Sequence, residues 1–198
     1  MYITDKLSII ICDKLVKYEI ITKETSAYYQ YSFDFALDLF IFNISLIVLG
    51  LLLRAPFISI LYILTLTPLK MLAGGAHAWS RVSCSIISYS IFVSTILLIK
   101  HQLISLKPLS AITLYFISII LITFLTPVDC KNKRIPQSKR IFFKKRCVVI
   151  CFLLSVIFTY FLIHNCSHFT SLMTICVIIV FINQIIGIML NKLQDRKE

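Results

Sequence analysis

His77 and Cys84 stand seven residues apart in the stretch LAGGAHAWSRVSC (72–84), which also holds two of the chain's four glycines and its one tryptophan. Cysteine attacks a carbonyl as its thiolate, and a free thiol ionises only at about pH 8.5, so reaction at neutral pH needs help. An imidazole within hydrogen-bond reach gives that help by taking the thiol proton, and a helix N-terminus adds positive potential. Ser80 is the expected N-cap of the next helix, which puts Cys84 about one turn inside its start. The spacing also sets a geometric condition. Positions seven apart on a straight helix lie about 10.5 Å apart along its axis, so this pair meets only if the chain bends between them. Gly74 and Gly75 offer the backbone freedom for a turn through 73–78. Plainer duties suit the same residue types: a solvated interfacial histidine, a cysteine packed as a small hydrophobe, and Trp79 as an interface anchor.

The elements that must position these residues are apolar. The 198 residues are 59% hydrophobic with a mean hydropathy of +0.91, whereas soluble domains are about 45–50% apolar. The expected fold is an all-α polytopic membrane helix bundle with about six membrane-embedded helices. Apolar runs fall at 35–53, 57–72, 82–99, 109–128, 147–163 and 169–190. A straight span takes about 20 residues, so the second run is short. Arg54-Ala55-Pro56 separates the first two tightly enough to require a hairpin, and Pro68 and Pro127 weaken the ends of their helices. Residues 3–24 place Ile3, Leu7, Ile10, Leu15 and Tyr18 at helical spacing among Lys6, Asp13, Lys17 and Glu24. That pattern predicts an N-terminal amphipathic helix lying in the membrane interface. The expected organisation is an interfacial segment (1–34) without a cleavable leader, one transmembrane domain (35–190) and a tail (191–198).

The formal charge is +11. With six crossings and the basic segment 129–146 placed as a cytoplasmic loop, 17 of the 20 Lys and Arg fall on the cytoplasmic side. This bias accounts for the charge without nucleic acid, and it puts both termini and the 70–84 motif toward the cytoplasm. The seven cysteines contain no CxxC, so a disulfide framework is not expected. HNCSH (164–168) lacks a carboxylate and reads as a short polar loop, so neither a metal nor another cofactor is expected. Asp38, Asn183 and Gln184 are intramembrane polar groups able to orient His77 or to bond one another across helices.

Taken together, these residues resemble the accessory gene regulator protein B (AgrB) family of membrane peptide-processing proteases. The family motif is a basic residue, a Gly-rich segment, His-Ala, and a Cys seven positions after the His; here it reads Lys70, Gly74-Gly75, His77-Ala78 and Cys84. The segment TPVDCKNKRIP (126–136) is similar to the family's Pro-containing basic loop, with Arg134 where that loop carries proline. The resemblance implies a cysteine endopeptidase with Cys84 as nucleophile and His77 as general base and acid. The implied substrate is a quorum-sensing propeptide with an amphipathic leader and an acidic C-terminal tail. Loss of the tail would leave the signal core as a thioester on Cys84, which an internal thiol converts to a cyclic thiolactone. Lys70, Arg81, Lys131, Lys133 and Arg134 are the expected contacts for the tail. A homodimer is expected, because so small a bundle encloses little volume for a peptide. The competing reading is a small transporter or channel that exports a peptide without proteolysis, which gives His77 and Cys84 no special duty.

Overall fold

The computed structural model describes residues 3–76, 80–129 and 136–195. They form seven helices: α1 (Ile3–Lys17), α2 (Lys23–Leu52), α3 (Pro56–Ala73), α4 (Arg81–Lys100), α5 (Pro108–Leu125), α6 (Gln137–Ile163) and α7 (Ser167–Asp195). Helices α2 to α7 are each long and apolar enough to cross a bilayer, and the chain is a multi-pass membrane protein. The fold is all-α, as composition implies, with no strand longer than one isolated bridge among the described residues. The reason is general: in hydrocarbon each helix satisfies its own backbone polar groups.

Two compact units divide the chain, Met1–Leu49 and Gly50–Glu198. In the first, the periodic segment 3–24 is not one helix. It stops at Lys17, where Glu19 turns left-handed (φ 55°) and the amides of Glu19 and Ile20 close back on Val16 and Leu15. This is a Schellman cap, built here without glycine. The next helix then starts at Lys23, twelve residues before the apolar run begins at 35, because KETSAYYQYSFD has no breaker despite its polarity. In α1 the buried stripe is Thr4, Ser8 and Cys12, while Leu7 and Ile10 are exposed. Burial, followed by the neighbouring Asp13 carboxylate, pushes the Cys12 thiol pKa up. Cys12 should therefore react with maleimide more slowly than an exposed cysteine at neutral pH. Its labelling rate should keep rising with pH beyond the usual thiol range, and mass-spectrometric labelling curves for this site check that.

In the second unit α7 is the hub, packing against α3, α4, α5 and α6. Tyr62 meets Phe92 edge-on at 5.1 Å between α3 and α4, and Tyr115 stacks on Phe158 at 4.0 Å between α5 and α6. Several hydroxyls inside the spans return to their own helix, as in Thr65 to Leu61 O (2.8 Å) and Ser155 to Cys151 O (2.8 Å). That spares the cost of an unpaired donor in an apolar medium. At the start of α3 the Ser59 side chain packs where a β-carbon on Gly50 would stand, which closes the 50–59 hairpin. Lys100 Nζ donates to Leu53 O at the same end (2.7 Å).

Two run boundaries differ from the hydropathy reading. The basic segment 129–146 is not loop throughout, since α6 begins at Gln137 and carries Lys139, Arg140, Lys144, Lys145 and Arg146 on its first turns. Lys and Arg are good helix formers, and the Arg146 guanidinium lies 4.0 Å over the Phe142 ring one turn back. Apolar run 109–128, by contrast, leaves the helix at Leu125. Pro127 lacks the N–H that would continue the ladder, and Thr126 before it takes an extended conformation. The Thr126–Pro127 bond is cis.

Candidate functional site

Helix α3 ends at Ala73, and Gly74 (φ 74°) and Gly75 (φ 129°) carry the chain away from it. Both angles lie where side-chained residues are strained, so glycine is needed here. The Gly74 amide still donates to Lys70 O in the last turn of α3 (3.1 Å). Space is as restrictive as φ. A β-carbon on Gly74 would fall on the Val128 carbonyl, and one on Gly75 would come within 2.8 Å of Asn183 O.

Two distant pieces of chain lock this turn, the 126–128 segment and α7. Gly74 forms a parallel bridge with Val128, whose amide donates to Ala73 O (3.0 Å). The Ala76 amide donates to Asn183 O on α7 (3.1 Å). Gln184, fully buried, donates through Nε2 to both Ala73 O and Thr126 Oγ1 (3.1 Å each). One turn further along α7, a β-carbon on Gly187 would come within 2.8 Å of Ala76 N and Gly75 C. The turn therefore lies directly on the backbone of α7. Asn191 completes the set by donating Nδ2 to Asp129 O (2.8 Å).

Cys84 enters from the other side of the break. Ser80 is the N-cap of α4: its Oγ accepts from Ser83 N (3.1 Å), and Ser83 Oγ accepts from Ser80 N (3.2 Å). This capping box contributes about 1 kcal/mol to the helix start. Cys84 N then donates to Ser80 O (3.0 Å), the first i to i−4 bond of α4. The half-buried Cys84 thus occupies the first turn, where the unpaired amides of a helix concentrate positive potential. Residues 75–84 are not one helix, because α3 has ended at Ala73 and α4 starts at Arg81.

The expected site residues separate into groups. Gly74, Gly75, Asn183 and Gln184 come together. Lys70 and Arg81 flank the break, in the last turn of α3 and the first position of α4. Asp38 belongs to the first unit, on α2. His77, Lys131, Lys133 and Arg134 lie outside the described residues. Sequence reading flagged Gln184 and Asn183 as polar groups in an apolar helix; here the Gln184 amide and the Asn183 carbonyl fasten the turn. Gln184 Oε1 has no partner among the described residues. Gly187 and Thr126 were missed. A glycine inside an apolar helix does signal a close backbone approach, but not which segment approaches. In the 164–168 segment His164 caps α6 and packs on the Tyr160 ring at 4.5 Å.

A turn of two glycines held against a helix, next to a cysteine at a capped helix start, covers only a small part of the chain. The accessory gene regulator B family model covers far more, matching residues 8–189. The chain belongs to that family. No curated protein and no solved structure matches it. As an accessory gene regulator B membrane protein, it carries His77 and Cys84 on the two sides of Ser80 in its sequence, both within the matched residues. The match also includes the 126–129 segment and the face of α7 that hold the glycine turn.

Proposed function

We propose that this protein is an integral-membrane cysteine endopeptidase that trims a signal propeptide and promotes its cyclisation. The observation that carries this reading is the interruption between α3, which ends at Ala73, and the capped start of α4 at Arg81. It frees Cys84 from sharing a straight helix with His77, the one arrangement that the spacing forbids. His77 is tethered one residue from Ala76 and three from Ser80, and three residues of chain reach about 10 Å. Family membership supports the same reading.

In this mechanism His77 takes the Cys84 thiol proton as sulfur attacks the carbonyl at the junction of signal core and tail. The carbon–nitrogen bond breaks, the proton passes from His77 to the departing amine, and the core stays on Cys84 as a thioester. An internal thiol of the core then attacks that thioester. One carbon–sulfur bond replaces another, so the step is close to energy-neutral, and Cys84 leaves as a thiol. Holding acyl group and thiol together raises their effective molarity by orders of magnitude. The glycine turn's role is to fix the His77 end of the pair to α7. Gln184 Oε1 is the acceptor that remains there for an N–H or a water.

The charge bias argues that the motif and both termini face the cytoplasm. Lys70, Arg81, Lys131, Lys133 and Arg134 would supply positive charge to an acidic tail. Two clefts among the described residues, of about 280 and 210 Å³, are small for a peptide, which accords with a homodimer. The direct test is mass spectrometry of the protein mixed with its propeptide. A hydroxylamine-labile core adduct on the peptide containing Cys84 is expected. An adduct elsewhere, or tail release with no thioester at any time point, would overturn the assignment.

A further inference from the structure

Beside the glycine turn lies an open cleft of about 210 Å³, lined by Arg140, Lys192, Asn191 and Asp129 together with the apolar Pro127 and Ile188. Arg140 forms an ion pair with Asp129, and Asn191 donates to the Asp129 backbone carbonyl. The cleft adjoins the site, because Val128, which also lines it, is the residue bridged to Gly74.

From this arrangement we infer that the cleft is a carboxylate-binding subsite for a peptide, with Asp129 acting as the chain's own placeholder. Two cations against one carboxylate leave the cleft one positive charge in excess. A guanidinium carries five N–H donors, more than one carboxylate uses. A peptide carboxylate arriving here exchanges with Asp129 for Arg140 and gains Lys192 as a second partner. Asn191 meanwhile keeps the 127–129 backbone in place. Because Val128 holds Gly74, a peptide seated in the cleft lies against the turn that precedes His77. This rests on the peptidase reading for its purpose, though not for its chemistry.

The opposing signs of two variants test it. Full-length Cys84→Ala protein, which cannot turn over, is placed in nanodiscs of neutral lipid. Its binding to a labelled peptide of alternating Glu and Ala, and to the Gln analogue, is read by anisotropy. The Glu peptide should bind about tenfold more tightly than the Gln analogue. Arg140→Gln and Lys192→Gln should each weaken it about tenfold. Asp129→Asn should instead tighten it severalfold by removing the competitor. Arg140→Lys, which keeps the charge and loses the fork, should fall in between and covers the case where Arg140→Gln does not fold. Equal binding of the two peptides would overturn the subsite, as would weakening by Asp129→Asn as large as that by Arg140→Gln. So would loss of Glu-peptide binding in discs containing phosphatidylglycerol, since that result gives the cleft to a lipid headgroup. Charge-dependent binding without any cleavage by the Cys84 protein would sink the peptidase reading alone. Cleavage with a KM indifferent to Arg140→Gln would sink the subsite alone.

Discussion

Cys84→Ala is expected to abolish tail release from a co-expressed propeptide, a loss of about 10⁴-fold or more, with the protein still inserted at normal abundance. The size follows from the chemistry: without the thiol there is no acyl intermediate, and what remains is binding and orientation of a stable amide. Folding should survive, because Cys84 is half-buried and the cap of α4 is made by Ser80 and Ser83. His77→Ala should cost less, about 10²–10⁴-fold, the range of a lost general base. The double variant separates a working pair from two independent contributors. If His77 acts only through Cys84, removing both is no worse than removing Cys84 alone. Quantitative immunoblots of cleaved and intact propeptide give these ratios. Undiminished cleavage by Cys84→Ala would end the peptidase reading.

The second large effect is expected more than a hundred residues away in the chain. Gly187→Ala adds one carbon within 2.8 Å of Ala76 N and Gly75 C and 2.9 Å of Gly75 Cα. All three are backbone atoms, so no side chain can rotate to make room, and the turn must move off α7. Overpacking of this kind costs about 1–3 kcal/mol. The larger effect should be on turnover, because misplacing a reacting group by about 1 Å costs about 10²-fold. A fall in cleavage of about 10- to 100-fold is expected, with insertion and oligomeric state unchanged. Gly50→Ala is the matched control. It is more tightly crowded, but by the Ser59 side chain at the other end of α3, whose 18 residues span about 27 Å. It should lower thermal stability in detergent and leave turnover per folded molecule intact. Full turnover by Gly187→Ala would mean that the turn is not held in place by α7.

Much of the frame was legible because it depends on neighbours in sequence. Apolar runs of span length become helices in any bilayer, and Ser80 caps α4 because a serine hydroxyl reaches the amide three residues on. Helix ends were harder to read. Glu19, Arg54, Gln102 and Asn165 all take left-handed conformations at helix ends, where glycine would be the usual sign. Hydropathy also read the start of α6 as loop, because it registers polarity, whereas Lys and Arg favour helix as such.

By itself, the sequence determined that this is an all-helical membrane protein with a break at Gly74-Gly75 and a cysteine in the first turn of the following helix. Span length, capping and glycine freedom are all settled within a few residues. Only the tertiary structure decided what holds that break in place: Val128 bridged to Gly74, Asn183 accepting from Ala76, and Gln184 tying Ala73 to Thr126. Gly187 leaves room for all of this by having no side chain. These contacts join positions 50 to more than 100 residues apart. No local period encodes such pairs, because the partners are chosen by which helix faces pack together.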